Sequence, residues 1–244
     1  MRKPYYNLVL DILNEEGFLS QLLDAYNDQS PSTVFFINAH CYNVAQNNPE
    51  YRNAILNSDF VLNDGIGIKL GARFINLDLL ENLNGTDLIP KIIEQAVNLN
   101  KKIYLLGGNE GVALKAAAKL KSKYPEIHIH GTHSGYFTGI AEQNLISEAG
   151  QAELLILGMG VPKQELWAFQ HKHDLLNTKI IVAGGAILDF ISENVKRAPS
   201  WIRKLHLEWV FRLVLEPGRL WKRYIIGNMA FLFSIVKYRL TKKS

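Results

Sequence analysis

The sequence has little of what several protein classes need. It contains one cysteine, Cys41, which excludes an intrachain disulfide framework and indicates a reducing compartment. The amino terminus begins with basic residues but reaches Asp11, Glu15 and Glu16 before any long apolar run. We therefore expect no signal peptide and a cytoplasmic protein.

Three ligand-binding motifs are also missing. No G-x-x-x-x-G-K-[ST] occurs, which argues against a P-loop NTPase. The segment DGIGIKLG is one residue too long for G-x-G-x-x-G, which disfavours a nicotinamide enzyme. There is no D-x-D pair, with which many transferases hold a metal–diphosphate. We therefore expect positive side chains or backbone amides, without metal, to support any leaving diphosphate.

What is present fits an α/β domain. Of the 244 residues, 48% are hydrophobic and 20% are charged, enough to bury a full core. Helical patterns at 49–58, 86–100 and 110–125 alternate with apolar runs rich in β-branched residues. The alternation predicts a Rossmann-like parallel sheet with flanking helices. The predicted strands are TVFFIN, DFVLND, KIYLLGG, ELLILGMG and KIIVAGG.

The loops after these strands are expected to meet at one edge of the sheet, where such folds bind ligands. In YLLGGNEGVALKAAAKL, Gly107 and Gly108 lie between a strand and a helix. Backbone N–H groups and the helix dipole at such a turn suit a diphosphate. A tight turn with no ligand would use the same glycines.

Asp64 is the best candidate for a general base. It ends an apolar run and precedes Gly65, which predicts a carboxylate at the mouth of the sheet. For an aspartate taken alone, a helix cap or turn is the commoner role. Lys163, Gln164 and Glu165 follow another strand, and they suit either sugar and base hydroxyls or a solvated helix start.

The histidines of HIHGTHSGYF are a weaker candidate for a site. His128, His130 and His133 are interleaved with apolar residues, as in a strand with one polar face. No acidic partner motif is nearby, so we expect a strand and no metal site.

Positive charge is concentrated near the carboxyl terminus. Residues 196–244 carry 12 Lys or Arg and two Glu, a net of +10, whereas residues 1–195 have a net of −6. The basic segment also contains many Trp, Leu and Phe residues, a mixture typical of an anionic membrane surface. We therefore divide the chain into a body, 1–195, and a basic amphipathic helical appendage, 196–244.

The apolar run at 225–236 belongs to this appendage. Its twelve residues are fewer than the roughly 20 that cross a bilayer, so we expect it to lie in or on the membrane. A core-packing or oligomer-forming helix pair is the alternative, and a homo-oligomer is therefore a further expectation.

Eight stretches cover most of residues 34–224: INAHCYNV, NSDFVLNDGIGI, NGTDLIPKI, YLLGGNEGVALKAAAKL, HSGYF, LLILGMGVPKQELW, AGGAILDF and VKRAPSWIRKLHLEWVFRLVLEPGRLWKRY. They combine DG, GTDL, GG-x-x-G, P-K-Q-E and RAP-W…LEW…RL…EP-x-R. In this order they resemble the WecG/TagA/CpsF family of bacterial glycosyltransferases.

The resemblance implies a function and its participants. It implies an inverting, metal-independent transfer from a UDP-sugar, typically of N-acetylmannosamine type or a related hexose, to an undecaprenyl-diphosphate-linked saccharide. Family members act in teichoic acid, common antigen, capsule or exopolysaccharide synthesis, which implies a peripheral enzyme on the inner face of the plasma membrane. No cofactor beyond the UDP-sugar substrate is expected.

The resemblance also implies roles for residues. Asp64 corresponds to the base, Gln164 to a polar pocket residue and the arginine-bearing appendage to a part that completes the site. Phe36 replaces a threonine of some members two residues before Asn38, so a hydroxyl contact is missing and donor preference is open. The predicted donor-binding residues are Asn38, Gly65, Thr86, Asp87, Gly107, Gly108, Tyr136, Lys163, Gln164 and Glu165, and those for the acceptor, diphosphate and membrane are Arg197, Arg203, Arg212, Arg219 and Arg223.

Two other classes are weighed against this prediction. An oxidoreductase acting on a nucleotide-sugar, or using nicotinamide, needs fingerprint glycines that DGIGIKLG does not supply. A nucleic-acid-binding protein could use the basic appendage, but its interleaved aromatic and aliphatic residues favour lipid. We expect no nucleic-acid partner.

Overall fold

The computed structural model describes residues 1–205 and 207–241; His206 and residues 242–244 of the predicted appendage lie outside the described residues. An N-terminal antiparallel hairpin, β1 (Arg2–Tyr5) and β2 (Leu8–Asp11), precedes a larger sheet. The strands of that sheet are β3 (Ser32–Ile37), β4 (Phe60–Asn63), β5 (Lys102–Gly107), β6 (His128–His133), β7 (Leu154–Gly158) and β8 (Ile180–Ala183).

The larger sheet is parallel throughout and has the order β4-β3-β8-β7-β5-β6. All five predicted apolar runs form strands in it, and the histidine-rich run forms the edge strand β6. The predicted Rossmann-like α/β fold is therefore confirmed. Because all strands point the same way, the loops that follow them share one edge.

Helices cover both faces of this sheet, and side chains alternate between two cores. In β3, Val34 and Phe36 enter one core whereas Phe35 and Ile37 enter the other. This alternation is the period of a strand buried on both faces. The helices of the body are α1 (Glu15–Asp24), α2 (Ala39–Asn47), α3 (Pro49–Leu56), α4 (Ile66–Phe74), α5 (Gly85–Asn98), α6 (Val112–Lys123), α7 (Ile140–Ala149), α8 (Lys163–His171) and α9 (Ile187–Ile191).

The described residues between 196 and 241 are mostly helical. The helices are α10 (Ser200–Lys204), α11 (Glu208–Leu215), α12 (Pro217–Trp221) and α13 (Gly227–Thr241), with a π-helical turn at Lys222–Ile226 between the last two. The helical character predicted for the appendage is confirmed.

The last helix packs into the body. Phe231 and Ile235 of α13 are buried in the same core as Tyr5, and the ring of Phe231 lies 5.2 Å from that of Tyr42. The ring of Tyr6 lies 4.9 Å from that of Tyr238. The run at 225–236 thus contributes one face to the core, as the core-packing alternative predicted. Met229 (64% exposed) and Phe233 (79% exposed) lie on the surface, and only such residues are free to meet a membrane.

Candidate active site

A cavity of about 590 Å³ opens at the carboxyl edge of the sheet. We call it the sheet cavity. Its walls include loops after all six strands of the larger sheet, and appendage arginines close one side. Glycines let these loops approach closely: a Cβ atom on Gly107 would lie 2.4 Å from the carbonyl carbon of Gly158. The expected convergence of the loops is observed.

A second cavity of about 330 Å³ lies between α4 and the appendage, and we call it the helix cavity. Its lining is partly apolar and includes Leu70, Trp209, Phe231 and Leu232. Asn38, His40, Asp64, Thr86, Arg212 and Arg223 line both cavities, so the two meet at these side chains.

Asp64 is one of the residues on this shared wall. Its backbone N–H donates to the Ile37 carbonyl at 2.8 Å, which extends the β3–β4 ladder and fixes the turn. Burial raises the pKa of its carboxyl, against the opposing effects of a 3.4 Å hydrogen bond from Asn38 Nδ2 and of the Arg223 charge. A carboxylate with a raised pKa at a cavity junction suits proton abstraction.

Cations surround the same junction. The Nε atoms of Arg212 and Arg223 are buried and, within the part of the chain that the structure describes, have no hydrogen-bond partner. Arg223 lies in the π-helical turn, a feature often found at functional sites. Burial, and then the Arg223 charge, lowers the pKa of His40 to about 4, so this histidine is neutral at physiological pH. Unpaired buried guanidinium donors suit an anionic ligand.

Gln164 fixes the opposite wall. Its Oε1 accepts from the Gly160 N–H at 3.1 Å and from the Gly185 N–H at 2.9 Å, and its Nε2 donates to Glu165 Oε1 at 2.8 Å. Gln164 and Glu165 are 2% and 1% exposed, so the solvated helix start considered above is wrong for both. Lys163 is exposed and donates from Nζ to the Gly135 carbonyl at 2.6 Å.

Asp87 faces the appendage. Its Oδ1 accepts from Arg197 Nη2 at 2.5 Å and from Arg203 Nη1 at 3.2 Å. Burial alone would raise the pKa of Asp87, but hydrogen bonds from Asn84 and Arg197 hold it below its ordinary value. Arg197 Nε also lies 3.6 Å from Glu208 Oε1. We call this cluster of Asp87, Arg197, Arg203 and Glu208 the latch.

Most predicted site residues line a cavity, although not all line the same one. Glu165, predicted to contact the donor, instead lies behind Gln164 and lines neither cavity; Gly107 and Arg197 also line neither. Of the rest, the helix cavity alone includes Gly65, Asp87 and Arg203; the sheet cavity alone includes Gly108, Tyr136, Lys163, Gln164 and Arg219; and both include Asn38, Asp64, Thr86, Arg212 and Arg223.

Three further lining residues were predicted only as part of the loops after the strands, without a role of their own. His40 lines both cavities, and Asn109 and Asp189 line the sheet cavity. Burial raises the pKa of Asp189, although Arg219 lies nearby. Each follows a strand by a few residues, so the rule that selected the loops also covers them, but no motif distinguishes them from neighbours.

Two searches of the described residues complete the description. No helix among them is both long and apolar enough to cross a membrane. Across residues 1–205 and 207–241, no group of three or more His, Cys, Asp or Glu is placed to hold a metal ion.

The whole chain, including both cavities and the appendage, has known relatives. A family model described as "Glycosyl transferase WecG/TagA/CpsF family" matches residues 4–244. The N-acetylglucosaminyldiphosphoundecaprenol N-acetyl-beta-D-mannosaminyltransferase of Bacillus subtilis strain 168 is 31% identical over 242 residues, which cover 98% of this chain and 88% of the relative. Proteins with the same name are 30% identical in Bacillus spizizenii strain W23 (88% and 84% covered) and 27% identical in Staphylococcus aureus strain MRSA252 (89% and 83% covered). This chain, in which the two cavities meet at Asp64, therefore belongs to the WecG/TagA/CpsF family of glycosyl transferases.

Proposed function

We propose that this enzyme transfers an N-acetylmannosamine-type sugar, or a related hexose, from UDP to an undecaprenyl-diphosphate-linked saccharide. In this proposal the transfer inverts the anomeric carbon and needs no divalent metal. The names of the three relatives describe transfer of an N-acetylmannosaminyl group to N-acetylglucosaminyldiphosphoundecaprenol, which supports this choice of sugar and acceptor.

The observation that carries the proposal is the position of Asp64 on the wall shared by two cavities. A transferase must hold two substrates with their reacting atoms in contact and a base beside the acceptor hydroxyl. The sheet cavity, with its glycine loops and arginines, suits a nucleotide diphosphate. The helix cavity, with Trp209, Phe231 and Leu232, suits an acceptor that carries a lipid.

The reaction then needs one proton transfer and one displacement. Asp64 takes the proton of the acceptor hydroxyl as the hydroxyl oxygen forms a bond to the anomeric carbon. The bond between that carbon and the phosphate oxygen breaks, and its electron pair leaves with UDP. In this proposal the hydroxyl attacks from the helix cavity, on the face of the sugar opposite the diphosphate, and this direction of attack inverts the anomeric centre.

Positive charge near the departing UDP comes from the appendage. Arg212, Arg219 and Arg223 line the sheet cavity, and two of them have buried Nε donors with no partner in the described chain. Guanidinium groups aimed at developing phosphate charge stabilise the transition state. Together with the missing D-x-D pair in the sequence, they support a metal-independent mechanism.

The test is a transfer assay on the full chain. UDP-N-acetylmannosamine and other UDP-sugars are offered with a short-chain prenyl-diphosphate N-acetylglucosamine acceptor, with and without EDTA. We expect a disaccharide product of inverted anomeric configuration by NMR, at a rate that EDTA leaves unchanged. Loss of activity in EDTA and recovery with magnesium or manganese would refute the metal-independent mechanism. Failure with every UDP-sugar would refute the donor class.

A further inference from the structure

Gln164 joins two walls of the sheet cavity through a single atom. Its Oε1 accepts N–H bonds from Gly160, after β7, and from Gly185, after β8. Both glycines have positive φ angles, +80° and +59°, which residues with a side chain rarely adopt. If the amide were flipped, its N–H₂ group would face the N–H donors of Gly160 and Gly185. The carbonyl oxygen of Gln164 therefore points to the two loops.

Glu165 is the partner that faces the other end of this amide. Its Oε1 accepts from Gln164 Nε2 at 2.8 Å. The side chain is 1% exposed and lies behind the cavity wall that Gln164 forms. Any effect of Glu165 on the site is therefore exerted through its hydrogen bond with Gln164 and not through contact with a substrate.

Burying this carboxyl is costly. Burial raises the pKa of Glu165 to about 7, and its Oε2 has no hydrogen-bond partner in the described chain. Cys41 and Tyr51 lie beside it, and burial also raises the pKa of each of these groups. An apolar side chain of similar volume would avoid the cost. Such an apolar side chain, however, could not accept the hydrogen bond that Gln164 Nε2 donates.

We propose that Glu165 is a positioning residue for glycosyl transfer. It orients the Gln164 amide so that the carbonyl oxygen holds the loops after β7 and β8 at the spacing that the nucleotide-sugar needs. Both loops line the sheet cavity and neither lines the helix cavity, so the effect falls on the donor. The inference rests on the proposed function, because it takes the occupant of the sheet cavity to be a UDP-sugar.

Glu165→Met is the first test, because it keeps the volume and removes the acceptor. The variant removes an unpaired buried oxygen but leaves Gln164 Nε2 without its acceptor, so we expect the melting temperature to change little. We also expect the Kd for UDP and the donor KM to rise roughly 10-fold or more, because small displacements of positioning groups have effects of that order. The acceptor KM should not change. Glu165→Gln, whose carbonyl oxygen can accept the same bond, should recover most of the lost donor affinity.

A double variant shows whether Glu165 acts through Gln164. Donor KM should be equal in Gln164→Met and in Gln164→Met/Glu165→Met, since the second change removes a partner that no longer has a function. This comparison holds even where Glu165→Met alone does not fold, because replacing both polar partners by apolar groups leaves no unpaired amide. Gln170→Met, at an exposed position of the same helix, is the matched control.

Two sets of results would overturn the positioning role. One is a donor KM in Glu165→Met equal to that of wild type, or no recovery of donor affinity in a folded Glu165→Gln. The other is a further donor loss in the double variant. A wild-type protein that neither binds UDP nor transfers sugar would instead refute the proposed function, so the two failures are distinguishable.

Discussion

At the scale of single residues, burial shifts the protonation of two carboxyl groups in or near the site. Asp64 and Glu165 both have carboxyl pKa values raised by burial, but only Asp64 lines the cavities. The same physical effect therefore has two uses here. In the proposed mechanism it prepares Asp64 as a base, and in the proposed positioning of Gln164 it accompanies the role of Glu165.

The proposed base gives the first prediction. Asp64→Asn removes proton abstraction but keeps the size and the hydrogen bond with Asn38, so we expect turnover to fall about 10²- to 10⁴-fold. UDP affinity and melting temperature should stay close to those of wild type. Asp24→Asn, at an exposed position of α1, is the control for the substitution. A rate near that of wild type would remove Asp64 from catalysis, and loss of folding would favour the structural role of a turn aspartate.

Glu165 gives a prediction about stability and pH. Its pKa is about 7 in the folded chain against an ordinary 4.5, so between these values the folded state keeps a proton that the unfolded state releases. The free energy of unfolding therefore falls as pH rises through this window, by about 3 kcal/mol in total. The glutamine of Glu165→Gln does not titrate, so the free energy of unfolding of this variant lacks this decrease with pH.

The measurement is denaturant unfolding of wild type and Glu165→Gln at pH 4.5 and pH 8. The stability of the variant relative to wild type should increase by about 3 kcal/mol between the two. Comparing the two proteins cancels the contribution of Asp64 and other groups, and the Cys41 pKa of about 12 lies outside the window. A difference that does not vary with pH would contradict the raised pKa.

At the scale of secondary-structure elements, the two ends of the appendage are attached to the body differently. The side chains of α13 enter the core, whereas the ion pairs of the latch join Arg197 and Arg203 to Asp87 of α5. Half-exposed ion pairs contribute about 1 kcal/mol or less each. The segment near α10 can therefore open while α13 stays in place.

Asp87→Asn tests the latch. We expect trypsin to cut after Arg197 or Arg203 roughly five times faster, because the loss of about 1 kcal/mol of local stability raises the open population by that factor. Global unfolding should change little, and transfer should slow because Arg212 and Arg223 follow the same segment. Asp28→Asn, at an exposed site, is the control. Unchanged cleavage and unchanged transfer would show that the latch does not hold the appendage.

The elements also show what the sequence could predict. The sheet strands were predicted to within a few residues because runs such as KIYLLGG are buried on both faces. The hairpin β1–β2 was missed, because each strand has four residues and β1 is mostly exposed. The core-facing side of α13 could not be predicted, since apolar residues lie on both of its faces.

The site was predictable in part for similar reasons. Position after a strand identified Asp64, Gly108 and Gln164, because parallel strands bring their loops together. The pairing of Asp87 with Arg197 joins residues 110 positions apart, and no local pattern encodes such a contact. The burial of Glu165 was missed because a carboxylate in the first turn of a helix is normally solvated.

At the scale of the whole molecule, charge and exposed apolar groups are concentrated on the appendage. Its exposed residues include Trp201, Trp221, Phe233 and Met229, and its sequence carries the net charge of +10. Each Lys or Arg near an anionic membrane is worth about 1 kcal/mol, and inserted aromatics add to it. We therefore predict attachment to anionic vesicles that weakens in high salt.

Flotation with phosphatidylglycerol vesicles measures this attachment. Phe233→Ser should lower vesicle binding roughly 10-fold or more, because burial of a phenyl group is worth about 1.5 to 3 kcal/mol. Leu114→Ser is the matched control, since Leu114 is 66% exposed on α6 of the body. Equal flotation of the two variants, or binding that salt leaves unchanged, would defeat the membrane prediction.

The contact between Tyr6 and Tyr238 has a consequence for synthesis. A ribosome adding about 5 to 20 residues per second makes these two residues roughly 10 to 50 s apart. During that time Tyr5, Tyr6 and Tyr42 have no α13 to cover them, and Arg223 has not been made. The aromatic contacts of Tyr6 and Tyr42 with α13 therefore form late in synthesis. The proposed catalytic centre, which includes Arg223, forms equally late. In a nascent chain halted before residue 223, all strands of the sheet would be present, but we expect no sugar transfer.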